Sequence, residues 1–170
     1  MVTAAHVVSR AERIEISDNE GRRVDASLIA LDEARDIALL KAEMTGQGII
    51  LTSRQAPPVG LHACAIGNPF GLGHSFSCGV VSATGRKAGF QAIEDFIQTD
   101  AAINPGMSGG ALVDAKGQLI GLINAIYTKE ADIDAGVNFA ISSDLLLKGL
   151  ARLSKAFCSQ TGEGMLTPCP

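Results

Sequence analysis

The chain has 170 residues, 46% of them hydrophobic and 19% charged, with a formal net charge of -4. That length accommodates one domain or two small modules sharing an interface, and the scattered Arg and Lys leave no basic face for a phosphate backbone, so nucleic acid is not expected as a partner. No apolar run approaches the roughly 18 residues of a membrane span, and MVTAAHVVSR lacks the charged start and longer apolar stretch of a signal peptide, so the chain reads as soluble.

The 19 glycines exceed an average usage of roughly 7%, which points to many turns and many short strands. In chain order, β-prone segments occur at 13–17 (RIEIS), 24–31 (VDASLIAL), 37–43 (IALLKAE), 62–67 (HACAIG), 75–83 (SFSCGVVSA), 111–115 (ALVDA), 118–127 (QLIGLINAIY) and 136–142 (GVNFAIS). Turn clusters DNEGRR, QAPPVG, NPFGLG and DAKGQ separate them, the signature of an all-β sandwich or barrel. One helix closes the series. Ser142 or Ser143 caps it, Asp144 suits its first turn, and Leu146, Leu147, Leu150, Leu153 and Phe157 recur at helical spacing as a core-packing face. The pair Pro57 and Pro58 lies where a linker between two β modules would fall.

Four cysteines, Cys64, Cys78, Cys158 and Cys169, permit three pairings, and none has CxxC spacing, so a zinc site is not expected. Cys64 and Cys78 flank a glycine-rich turn and can face each other across a hairpin, while Cys158 and Cys169 can staple the tail; buried, idle thiols are the alternative. His62 and His74 show no metal-ligand partners at useful spacing and read as surface or turn residues. GNPFGLG lacks the GK[ST] ending of a phosphate-binding loop. No cofactor and no metal is expected.

Three positions carry a chemical expectation: His6, at the end of the strand-like TAAHVV; Asp36, opening the apolar run of RDIALLK; and Ser108, within NPGMSGGALV. Each alone is more simply a structural or turn residue. Together they supply a hydroxyl nucleophile, a base to take its proton, and a carboxylate to fix that base's tautomer and stabilise its cation. The surrounding glycines then gain a purpose, because Gly106 lets the backbone turn so that amide N–H groups point at one spot beside the serine oxygen.

The ordered motifs VTAAHVV, RDIALLK, AIGNPFGLG, FIQTDAAINPGMSGGALVDAKGQLIGLINA and GVNFAIS resemble the trypsin-like serine proteases of the HtrA (DegP/DegS-like) family, over about residues 2–147. The order His, Asp, Ser is also that of chymotrypsin. This resemblance implies an all-β fold of two six-stranded antiparallel barrels with the site in the cleft between them. His6 and Asp36 would come from the first barrel and Ser108 from the second, with an oxyanion hole of the Gly106 and Ser108 N–H groups and Met107 as a further candidate. Ala102, Ile103, Asn104, Asn124, Ala125 and Ile126 would line the pocket for the side chain preceding the cut. Selection of Lys or Arg needs an acid six residues before the serine; Ala102 stands there, so an apolar pocket preferring Val, Ala or Leu is expected.

Three departures modify this picture. Met107 replaces the asparagine common in the family, and the aspartate by which digestive proteases pair a freshly cut N-terminus, so control by loop rearrangement is expected. Ala111 replaces the usual proline after the glycine pair. Only five residues precede His6, whereas the family places two to three strands there, so the first barrel is expected to be incomplete with unpaired edges. The expected organisation is a partial barrel over 1–56, a second barrel with its closing helix over 57–157, and a tail over 158–170 with no PDZ domain. The expected activity is ATP-independent serine endopeptidase action on unfolded or exposed polypeptide. Its rival is an inactive module that binds peptides without cutting them. Family resemblance suggests a periplasmic or extracytoplasmic location; an oligomer is left open, its usual N-terminal contacts being absent.

Overall fold

The computed structural model describes residues 1–44, 46–49, 51, 56–124 and 136–161, without the side chains of 158–161. Among the described residues ten strands form two sheets. β1 (Val2–Ala4), β2 (Ile14–Ser17), β3 (Arg23–Asp32) and β4 (Ile37–Ala42) make an open antiparallel sheet in the order β1-β4-β3-β2. β5 (His62–Gly67), β6 (Ser75–Arg86), β7 (Phe96–Thr99), β8 (Ala111–Asp114), β9 (Leu119–Asn124) and β10 (Asn138–Ser142) close a six-stranded barrel in the order β10-β7-β6-β5-β8-β9. The expected all-β class holds, with one barrel closed and the first half present as a four-stranded sheet.

Alternation explains the barrel wall. Along β5, Ala63 and Ala65 are fully buried in the interior with Val81, Ile97, Leu112, Ile123 and Ala140, small and branched residues suited to a narrow lumen. The intervening Cys64 faces outward, where it joins a second cluster with Leu39, Val113, Leu122, Phe139 and Ile141. That cluster unites the two halves. Ile37 and Leu39 of β4 meet barrel residues and Leu145, Leu146, Leu150 and Leu153 of the closing helix α2 (Ser143–Thr161). Ser142 accepts the Leu145 N–H at 3.1 Å and so provides the expected cap. A Cβ at Gly149 would stand 2.5 Å from Ile37 Cδ1, which shows how closely the helix is seated on β4.

Two elements depart from expectation. His6 does not end a strand: β1 stops at Ala4, and Ala5–Val8 forms one helical turn, α1. β7 is not among the expected strands: it is four residues long, with no Gly or Pro adjacent to either end to mark its bounds, and Phe96, Ile97 and Thr99 are buried. The chain entering β7 is held by Glu94, whose carboxylate accepts the N–H groups of Ala88, Gly89, Phe90 and Gln91 at 2.5 to 2.9 Å. Phe90 then reaches Phe96 and Phe139, each at a 6.3 Å ring separation. Among the described residues no helix is long and apolar enough to cross a membrane.

Burial alone would raise the Glu94 carboxyl, but its four backbone donors outweigh that and hold it below its ordinary value. A depressed folded-state value means stabilisation that is complete above the unfolded value of about 4.3 and lost as pH falls through the lower folded one. Urea melts between pH 7 and pH 3 should therefore show Glu94→Gln less stable than the parent at neutral pH, with the gap closing in acid. A gap independent of pH would mean that the carboxylate charge is not what holds this loop.

Candidate active site

The turn between β3 and β4 sets the first half of the site. Arg35 pairs with Asp32 at 2.8 Å, both largely buried, and the Arg35 N–H donates to the Asp32 carbonyl. Asp36 then adopts φ 57°, a left-handed conformation that aspartate tolerates better than most residues. Its side chain is thereby turned inward, 3% exposed.

This carboxylate is fully engaged. Oδ1 accepts the His6 backbone N–H at 2.8 Å, and Oδ2 lies 2.7 Å from His6 Nδ1. The first contact caps α1 from thirty residues away, because helix entry leaves such an N–H without an internal acceptor and Ala4 has no side chain to supply one. The Ala5 N–H donates to the Asp36 carbonyl at 3.1 Å, so the helical turn is docked at both the main chain and the side chain of Asp36. A carboxylate only accepts, so Nδ1 carries the proton and Nε2 is left as the basic nitrogen. The His6 side chain is about one-third exposed.

Asn124, at the end of β9, donates its side-chain amide to the same Oδ2 at 3.0 Å and is 3% exposed. Asn124, which the resemblance placed among the residues lining the substrate pocket, is a hydrogen-bond partner of the Asp36 carboxylate across the seam between the two sheets. A polar residue ending an otherwise apolar strand, in QLIGLIN, was the one available signal.

Ser108 stands in a half-buried turn stitched to β9: the Gly109 N–H donates to the Ile123 carbonyl at 2.9 Å, and the Ile123 N–H to the Gly110 carbonyl at 2.8 Å. Those bonds tie the serine turn to the residue preceding Asn124. On its other side the turn abuts β1, since a Cβ at Gly109 would collide with Thr3 Oγ1 and reach 3.0 Å from the Ala4 N atom, two residues before His6. Gly106, at φ 97°, presses on the loop after β5, where a Cβ would come within 2.6 Å of the Asn68 carbonyl oxygen. The Phe70 N–H donates to the Pro105 carbonyl at 2.8 Å, and Asn68 Oδ1 closes the loop by accepting the Gly73 N–H. GNPFGLG is thus a brace for the serine turn.

Met107, the further candidate for the oxyanion hole, is 2% exposed within the barrel, and its N–H donates to the Asn104 carbonyl at 3.0 Å. Ile103 is fully buried in the barrel core, so its side chain packs the lumen, while Ala102 and Asn104 are half-buried. Ala125 and Ile126 lie outside the described residues.

The first 122 residues match the family model of the trypsin-like peptidase domain. The chain belongs to that family, in its HtrA branch. It is 43% identical over 148 residues to the periplasmic pH-dependent serine endoprotease DegQ of Escherichia coli, covering 85% of this chain and 32% of that protein. To the periplasmic serine endoprotease DegP of Salmonella typhimurium it is 43% identical over 149 residues, covering 86% and 31%. Among solved structures it is similar to the HtrA-type protease AlgW with decapeptide (TM-score 0.84, 42% identity, 89% of this chain and 47% of that one). It is likewise similar to the serine endoprotease from Yersinia pestis (TM-score 0.77, 37% identity, 89% and 52%). The chain spans about a third of the length of the curated relatives it matches.

Gly109 tests how tightly this HtrA-type turn is seated. Gly109→Ala incurs both the positive-φ cost and a clash with Thr3, whereas Gly117→Ala, at φ 72° with open space around it, incurs the first alone. Overpacking costs about 1–3 kcal/mol. Urea denaturation should show the larger loss for Gly109→Ala; equal losses would mean that the approach to β1 is unimportant.

Proposed function

We propose that the chain is the peptidase module of a serine endopeptidase that cleaves unfolded or exposed polypeptide outside the cytoplasm, the periplasm being where its named relatives act. The observation that carries this is the 2.7 Å contact between His6 Nδ1 and the buried Asp36, on the strand-and-turn segment against which the Ser108 turn is packed. Ser108 Oγ attacks the scissile carbonyl carbon while His6 Nε2 takes its proton, and Asp36 stabilises the resulting imidazolium without itself being protonated. The N–H groups of Gly106 and Ser108 hold the oxyanion. Collapse of the tetrahedral species breaks the C–N bond, His6 returns the proton to the departing amine, and an ester to Ser108 remains. Water then attacks that ester with His6 again as base, releasing the acid and restoring the hydroxyl.

Asn124 extends this scheme. The hydrogen bond that its side-chain amide donates to Oδ2 holds the carboxylate in the plane that His6 requires, so it is a positioning residue. Ala102, six residues before Ser108, gives the pocket an uncharged base, which supports preference for Val, Ala or Leu before the cut; one methylene discriminates by only about 1–3 kcal/mol.

A fluorophosphonate probe should add to Ser108 by mass, with Ser108→Ala inert, and Asp36→Asn should lower kcat by about 10⁴-fold. Silence of the folded chain toward the probe would reject catalysis and favour a peptide-binding module. In a peptide library, cleavage should follow small and aliphatic residues; rapid cleavage after Arg would refute the pocket assignment.

A further inference from the structure

A second cluster of reactive side chains lies on the outer wall of the barrel. Residues i and i+2 of a strand face the same way, so His62, Cys64 and Ile66 of β5 share the outward side. In the β5–β6 register Cys64 stands directly opposite Cys78, and the two are joined as a disulfide. His62 Nδ1 lies 3.8 Å from Cys64 Sγ, and the ring nitrogen and both sulfurs fall within 4.8 Å of one another. They border a surface cavity of about 460 Å³ whose walls include Ile66, Phe76 and Val113.

The three groups differ in access. Cys78 and His62 are exposed, whereas Cys64 is 5% exposed. The crosslink joins strands that six register pairs already hold together, and β5 is bound on its other edge to β8. Opening the disulfide therefore leaves two thiols still facing each other beside an imidazole. Two thiolates and one imidazole form a soft donor set, selective for a thiophilic d¹⁰ cation over Mg²⁺ or Ca²⁺.

We propose that Cys64, Cys78 and His62 constitute a redox-gated binding site for a Zn²⁺-class cation, closed when the cysteines are bonded and open when they are reduced. A dithiol reductant opens it. One of its thiolates attacks the exposed Cys78 Sγ, the S–S bond breaks, and Cys64 leaves with the electron pair as a thiolate. The second thiol of the reductant displaces Cys78 from the mixed disulfide, so the reductant ends as a disulfide and both cysteines are reduced. The cation then binds two thiolates, displacing any thiol protons, and the Nδ1 lone pair of His62; solvent completes a tetrahedral shell. The spacing 62, 64, 78 contains no recognisable metal motif, because the sheet register creates the cluster.

The test uses Co²⁺ as a spectroscopic substitute for Zn²⁺, on the full chain and on the same chain with Cys158→Ser and Cys169→Ser, which removes the tail thiols. After reduction, one Co²⁺ per chain should give thiolate charge-transfer and tetrahedral d–d absorption, discharged by one equivalent of Zn²⁺. The oxidised chain should give neither, and this control needs no substitution. In the reduced chain His62→Ala should weaken Co²⁺ binding by about tenfold or more, and Cys64→Ser with Cys78→Ser should abolish it. The proposal fails if the reduced chain shows no such absorption, if the band survives the double serine variant, or if His62→Ala binds as tightly as the parent. Loss of the β-sheet circular dichroism on reduction would also overturn it.

Discussion

The buried Asp36 carboxylate takes hydrogen bonds from both halves of the molecule: from His6, twice, on the open-sheet side and from Asn124 on the barrel side. An ionised carboxylate removed from water is costly unless its lone pairs find donors, so the two halves are registered by the need to satisfy one charge. The next residue, Ile37, is fully buried in the apolar cluster that α2 shares with both sheets. Polar recognition and apolar packing thus meet at consecutive positions, and a shift of α2 or β9 would be felt at His6.

Around that charge the serine turn is held from three directions. β9 stitches it through Gly109, Gly110 and Ile123, the loop after β5 braces Pro105 and Gly106, and β1 lies against Gly109. Hydrolysis by such a site depends on donors fixed before the substrate arrives, so that little reorganisation accompanies charge development. The two glycines matter here for close approach as much as for backbone freedom. At Gly109 a side chain would strike Thr3, and at Gly106 it would strike the backbone of Asn68. The same barrel that carries the serine turn also carries, on its outer wall, the facing positions on β5 and β6 that join Cys64 to Cys78 beside His62.

Much of this was legible in the linear chain. β2, β3, β4, β5, β6, β8, β9 and β10 follow from short β-prone runs separated by turn clusters, and the helix from leucine spacing and a serine cap. The residue types at 6, 36 and 108 specify a base, a carboxylate and a hydroxyl, and the glycines around Ser108 mark a turn with special backbone demands. β7 was hidden because its four residues have no Gly or Pro adjacent to either end to bound them, and the helical turn at His6 because its cap arrives from Asp36 rather than from a neighbour.

By itself, then, the amino-acid order determined most of the inventory: nearly all the segments that extend, the long helix that coils, and the residue types available for chemistry, since these depend on local sterics and periodicity. Tertiary structure alone decided who meets whom. Asn124 met Asp36, the Met107 N–H met the Asn104 carbonyl, and His62 came within reach of two sulfurs. Contacts of that kind depend on strand register and on the packing of one sheet against another, which bring together residues as many as 88 positions apart.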